Sequence, residues 1–323
     1  MLAGMEKSIT EFGLQFNYQP EIECSDSLQK TNKYVLVGMG GSHLQADVIK
    51  KAVPTLDIVV WSDYGLPLLA DIDERLIVFS SYSGNTEEVL DAYALAGEKK
   101  YHRAVLTAGG KLLECAKAEN VAYVELPNTG IQPRNALGLT VRGLLALLSL
   151  GDELQKTDNL IMKFGDTSLR ILGEKIASQA QGKIPVVYSS RRNETIAFNW
   201  KIKCNETGKI PAFYNVFPEL NHNELAGMDV IEKTRVLSES LFVIFILDST
   251  DDKRIAARMN ATQALYDARG IKTVAVTING DSEYEKIFTT LLIGDWFALS
   301  LAKIYGAEPE KVLIIEEFKK MIS

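Results

Sequence analysis

The stretch LIVFSSYSGNTEEVLDAY, residues 76–93, runs from apolar residues into a cluster of hydroxyls and then into a helical pattern. LIVFSS reads as a strand of a parallel sheet, where burial on both faces favours a continuous apolar run. Ser80, Ser81, Ser83 and Thr86 then flank Gly84 at the junction with the helix. A helix cap accounts for part of this: Ser83 or Asn85 could cap, with Glu87 or Glu88 in the first turn. A cap needs one or two hydroxyls, and this junction carries four.

Working outward, the same alternation recurs. YVLVGM at 34–39 reads as a strand followed by a helix through Ala46–Val53, IVVW at 58–61 as a second strand, and LIVFSS as a third. AVLTA at 104–108 and VAYVEL at 121–126 complete a set of five before a long apolar helix over about 137–150. The charged segment GDELQKTDN at 151–159 breaks the pattern and places a domain boundary in or just after it. The second half repeats the plan with strands PVVYSS at 185–190, LFVIFILDST at 241–250 and TVAVTI at 273–278, then a helix over about 285–305. The predicted architecture is α/β: two pseudo-symmetric three-layer α/β/α sandwich domains with mainly parallel sheets, residues 1–153 and 154–323.

Composition narrows the function. The 323 residues carry a net charge of −7, which disfavours a nucleic-acid surface or a basic membrane patch. Cys24, Cys115 and Cys204 are far apart and form no CxxC pair, so they read as reduced thiols of a cytoplasmic protein, with no zinc site. No signal peptide is evident in MLAGMEKSITEFGLQF, and runs such as LFVIFIL are too short to span a membrane.

A second loop bears on the hydroxyl cluster. VGMGGSH at 37–43 follows a strand and opens a helix, but the third glycine of a dinucleotide fingerprint is replaced by His43. GGKLL at 109–113 is not a phosphate-cradling nucleotide loop either, since the first glycine and the hydroxyl after the lysine are missing. If strands 34–39 and 76–81 are neighbours, GGS and SYSGNT face each other where strand order reverses. A phosphate there would take hydrogen bonds from Ser42, Ser81, Ser83, Thr86 and backbone N–H groups near Gly84, aided by a helix N-terminus. Such a site needs no lysine.

GMGGS at 38–42 with Asp47, SYSGNTEE at 81–88 and the two-fold plan resemble the sugar isomerase (SIS) domain. QPR at 132–134, CNETGK at 204–209 and ELNHNELAG at 219–227 narrow the resemblance to the bifunctional phosphoglucose/phosphomannose isomerase family. The resemblance implies that Gly41, Ser42, Ser81, Ser83 and Thr86 hold the substrate phosphate and that Arg134 stabilises an enediolate. It implies Glu206 as the base moving a proton between C1 and C2, with His222 opening the sugar ring from a partner subunit and Lys319 assisting. It also implies a homodimer with sites at the interface, a hexose phosphate substrate, and no metal or redox cofactor. The chain departs from the family at His43, at NETGK in place of NENAK, and at Glu310, where a threonine often lines the sugar pocket.

Taken without the resemblance, the residues leave alternatives open. Glu206 also reads as a solvated helix-end residue, His222 as part of a polar turn, and Arg134 as a loop charge. His43 either lines the site or belongs only to its loop; Arg191 and Arg192 either meet an anion or form a solvated turn. The chemistry is nonetheless complete: a histidine for ring opening, a carboxylate for proton transfer, and an arginine for developing charge. The competing functions are a non-catalytic sugar-phosphate sensor and an isomerase of another phosphosugar. An amide-transferring amino-sugar synthase fits less well, because no glutaminase domain with a leading cysteine precedes the sheet.

Overall fold

The computed structural model describes residues 4–322, which divide into two compact units: Thr10–Gly165, and the remainder. The division differs from the 153/154 boundary read from the sequence. The charged segment forms the helix Gly151–Asp158, which is held to the first unit by Arg142. That guanidinium is fully buried and donates to Thr157 Oγ1 (2.6 Å), Asp158 Oδ1 (2.7 Å) and Gln19 Oε1 (3.1 Å). A buried guanidinium needs such partners, so the charges of 151–159 mark an anchored element rather than a linker.

In the first unit, strands β1 (Lys33–Gly38), β2 (Asp57–Trp61), β3 (Leu76–Ser81), β4 (Arg103–Thr107) and β5 (Ala122–Glu125) form one parallel sheet. Its order is β2-β1-β3-β4-β5, so the direction of winding reverses between β1 and β3. Every residue of β3 is buried, as the continuous apolar run predicts for a central parallel strand. One face packs on Val89, Ala92, Tyr93 and Ala96 of the helix Glu87–Glu98 and on Leu112 and Ala116 of the helix Gly110–Ala118. The helix Leu137–Leu147 is mostly apolar and is buried apart from Ala146, its polar Thr140 and Arg142 included.

The second unit contains β6 (Ile184–Ser190), β7 (Phe213–Phe217), β8 (Leu241–Leu247) and β9 (Lys272–Thr277), again all parallel, in the order β7-β6-β8-β9. The sequence reading named three of these strands and passed over β7. FYNVF has a polar residue at its centre, and only Val216 and Phe217 are buried, as suits an edge strand. The helix Glu283–Tyr305 is long and apolar enough to cross a bilayer, a case the short run LFVIFIL did not represent. It lies mostly buried in this unit, packed on the helices Thr167–Ala180 and Glu194–Glu206. Gly173 and Gly294 permit that approach: a Cβ on Gly173 would stand 2.6 Å from Trp296 Cβ, and one on Gly294 2.7 Å from Trp200 Nε1.

Candidate active site

The loops after β1 and β3 meet because their strands are neighbours, with Gly38 paired in register with Ser80. After β1 the chain turns through Gly40–Ser42, Gly40 in the left-handed region at φ +53°. Ser42 Oγ accepts from the Tyr82 N–H at 3.1 Å, joining the two loops. Gln45, fully buried, donates to both Ser42 O and Ser80 Oγ at 2.7 Å and braces the same pair from beneath. Gly41 lies against the backbone of the Pro133–Asn135 turn; a Cβ there would stand 3.3 Å from Arg134 N. Arg134 is thereby brought beside the first loop, 4% exposed, with its Nη1 3.5 Å from Gln132 Oε1.

The capping explanation can now be tested on the hydroxyls. The helix Glu87–Glu98 has Thr86 as its N-cap, and the Thr86 side chain makes no capping bond. Its Oγ1 instead sits 2.8 Å from Ser81 Oγ, which also accepts from the Gly84 N–H at 3.1 Å. Ser83 Oγ accepts from Asn85 N, and Asn85 Oδ1 accepts from Lys111 N, so neither caps this helix. The first-turn N–H groups, where the partial positive charge of the helix lies, therefore have no side-chain cap and adjoin a ring of hydroxyls. That is the arrangement of a neutral anion cradle.

Gly84 also packs closely against a neighbouring turn. Its φ is +70°, and a Cβ on it would lie 1.7 Å from Gly109 O. Leu112 N donates to Gly84 O at 2.9 Å and Ala108 N to Tyr82 O at 3.1 Å. The turn at Gly109–Gly110, rejected above as a nucleotide loop, is thus the buttress of the hydroxyl loop. The sequence signal was the glycine pair itself, placed directly after a strand.

The remaining candidates belong to the second unit. Glu206 ends the helix Glu194–Glu206, held by Trp200 Nε1 donating to Thr290 O at 2.9 Å and by stacking of Trp200 on Phe297. One turn before Glu206, Lys203 Nζ pairs with Asp295 Oδ1 at 2.5 Å, both groups buried. Lys209 Nζ donates to Glu206 O at 2.6 Å and to Lys311 O, tying the helix end to the chain that leads into the helix Leu313–Ile322. Lys319 lies exposed on that last helix. His222 is exposed at the end of the turn Glu219–His222. These three stand on separate elements of the unit. His43 pairs through Nδ1 with Asp47 Oδ2 at 2.8 Å, a bond within its own helix start.

In the second unit the equivalent reversal of strand order, between β6 and β8, is filled differently. Ser190 Oγ donates to Asp251 Oδ1 (2.8 Å) and Thr250 Oγ1 to Asp248 Oδ1 (2.6 Å), while buried Asn193 donates to both carboxylates. Arg192 is bound to Thr250 and to Glu283 (3.4 Å) rather than open to an anion, and Arg191 pairs with Glu194. The following helix, Lys253–Ala268, is capped by the carboxylate of Asp252. Among the described residues no group of three or more His, Cys, Asp or Glu side chains has the geometry of a metal site.

Sequence and structure comparisons place the chain among known proteins. A family model described as the bacterial phospho-glucose isomerase C-terminal SIS domain matches residues 171–322. A protein of Aquifex aeolicus (strain VF5), described as a bifunctional phosphoglucose/phosphomannose isomerase, is 32% identical, with 97% of each chain covered. The chain belongs to the bifunctional phosphoglucose/phosphomannose isomerase family. A relative within reach of that isomerase family, from Sulfolobus acidocaldarius, is 31% identical over 91% of this chain and 90% of its own, and is described as a D-glucosamine-6-phosphate 4-epimerase. Among solved structures, the tagatose-6-phosphate ketose/aldose isomerase of Escherichia coli superposes with a TM-score of 0.69 at 17% identity, covering 94% of both chains. That likeness establishes the SIS fold for the isomerase family member described above.

Proposed function

We propose that the protein interconverts glucose 6-phosphate and mannose 6-phosphate with fructose 6-phosphate through a cis-enediolate. The observation that carries this is the hydroxyl cradle at the β1/β3 reversal, with an N-terminally uncapped helix and Arg134 beside it, in a chain of this family. Gly41, Ser42, Ser81, Ser83 and Thr86 hold the phosphate. His222 donates a proton to the ring oxygen as the hemiacetal opens and takes up the proton leaving the C1 hydroxyl, so the imidazole ends as it began. Glu206 removes the proton on C2, and Arg134 offsets the negative charge that gathers on the enediolate oxygens. Glu206 then returns the proton to C1 while the hydroxyl proton on O2 passes to O1, which leaves the ketose with no net loss of electrons or atoms. The enediolate is planar at C2, so one intermediate leads to either aldose.

His222 is exposed on its own turn, which fits service to the site of a second copy, and the same reading makes the protein a homodimer with Lys319 assisting ring opening. Three free thiols favour a cytoplasmic setting. A coupled assay with purified protein tests the proposal: both aldose phosphates turn over, and Glu206→Gln removes activity while the melting temperature stays within a few degrees. Phosphosugar binding without turnover would instead mark a sensor. Turnover of D-glucosamine 6-phosphate alone would move the assignment to the chemistry named for the Sulfolobus relative.

A further inference from the structure

The neighbours of His222 are all tied down, while His222 itself is exposed. On one side Asn221 Nδ2 donates to Thr262 Oγ1 of the helix Lys253–Ala268 at 2.9 Å, and Leu220 is fully buried. On the other, Asn223 Oδ1 accepts from Glu224 N at 2.5 Å and its Nδ2 donates to Glu219 Oε1 at 3.0 Å. Glu224 then reaches back into the sheet. Its Oε1 accepts from Tyr188 Oη on β6, and its Oε2 accepts from Asn215 Nδ2 on β7 at 2.5 Å.

We infer that Glu224 is the positioning residue for His222, pinning the turn that carries the imidazole to strands β6 and β7. The inference rests on the proposed role of His222 in ring opening. A carboxylate taking one donor from each of two neighbouring strands makes charge-assisted bonds, roughly twice as strong as neutral ones. Tyr188 is itself packed on all sides: fully buried, edge-on to Phe217 at 6.1 Å and to Phe245 at 5.7 Å. Burial, reinforced by the nearby Tyr266 and Glu224, pushes its hydroxyl far above the ordinary phenol range, so it remains a donor throughout any working pH. The turn is thus fixed from beneath while the imidazole faces outward. Misplacing a proton-transfer group by about 1 Å costs on the order of 100-fold in rate, which is the scale on which such a brace matters.

A double-mutant cycle on glucose 6-phosphate tests this, using His222→Ala, Glu224→Gln and the pair, with Tyr188→Phe as a variant that removes only the donor. Glu224→Gln and Tyr188→Phe are expected to lower kcat by about 10- to 100-fold with KM nearly unchanged. In the His222→Ala background, Glu224→Gln is expected to lower kcat no further. Equal losses in both backgrounds, or no loss from Glu224→Gln in a folded protein, overturn the positioning role while leaving His222 in place. Full activity of His222→Ala overturns the role of His222 and the inference with it.

Discussion

At the residue scale, Gly84 is constrained by a neighbour that local sequence does not reveal. A glycine among four hydroxyls suggests a backbone kept open for a ligand, yet the close approach is to Gly109 O, where a Cβ would come within 1.7 Å. Which backbone lies opposite depends on the β3–β4 pairing, and no local pattern records it. Gly84→Ala should therefore cost about 2–4 kcal/mol, combining a left-handed alanine with a forced shift of the neighbouring turn. Gly40 makes the control. It has φ +53° but nothing within 4 Å of a built Cβ. Gly40→Ala should cost only about 1 kcal/mol. Urea unfolding of the two variants, read as midpoints at unchanged slope, checks the difference.

At the element scale, the helix Glu194–Glu206 carries the proposed base, and its sequence gives little away. It lacks a clean apolar stripe because Thr195, Asn199 and Lys203 are buried among its polar positions. Which charges are buried could not be read from spacing, since the partner, Asp295, is a lone charge in the largely apolar middle of another helix. The central strands were legible because burial on both faces leaves continuous apolar runs; edge strand β7 was not, having no such run. The Lys203–Asp295 pair has a measurable consequence. Asp295→Ala leaves an uncompensated buried ammonium and should cost about 3–5 kcal/mol, whereas the double variant Lys203→Met/Asp295→Leu should recover most of that loss. Denaturant unfolding of the single and double variants decides it. A double variant as unstable as Asp295→Ala would show that the pair holds the helix by geometry rather than by mutual charge compensation.

At the scale of the whole molecule, the two sheets share one order, with the first strand of each lying between the next two strands in sequence, yet their reversal points differ in chemistry. The first offers hydroxyls beside a helix whose N-cap side chain makes no bond to it. The second offers Asp248 and Asp251, already satisfied by Ser190, Asn193 and Thr250, and a helix capped by Asp252. A phosphate at the second point would face two carboxylates in a partly buried setting, where like charges repel strongly. The duplication of the fold therefore does not duplicate the proposed anion site. An aldonate 5-phosphate, which carries the phosphate but cannot isomerise, should bind at one equivalent per chain in isothermal titration calorimetry. Ser81→Ala/Ser83→Ala should weaken that single event by about 10- to 100-fold, the worth of one or two hydrogen bonds to a charged group. Two equivalents per chain, or binding that survives the double substitution unchanged, would place phosphate recognition somewhere other than the loop at 80–86.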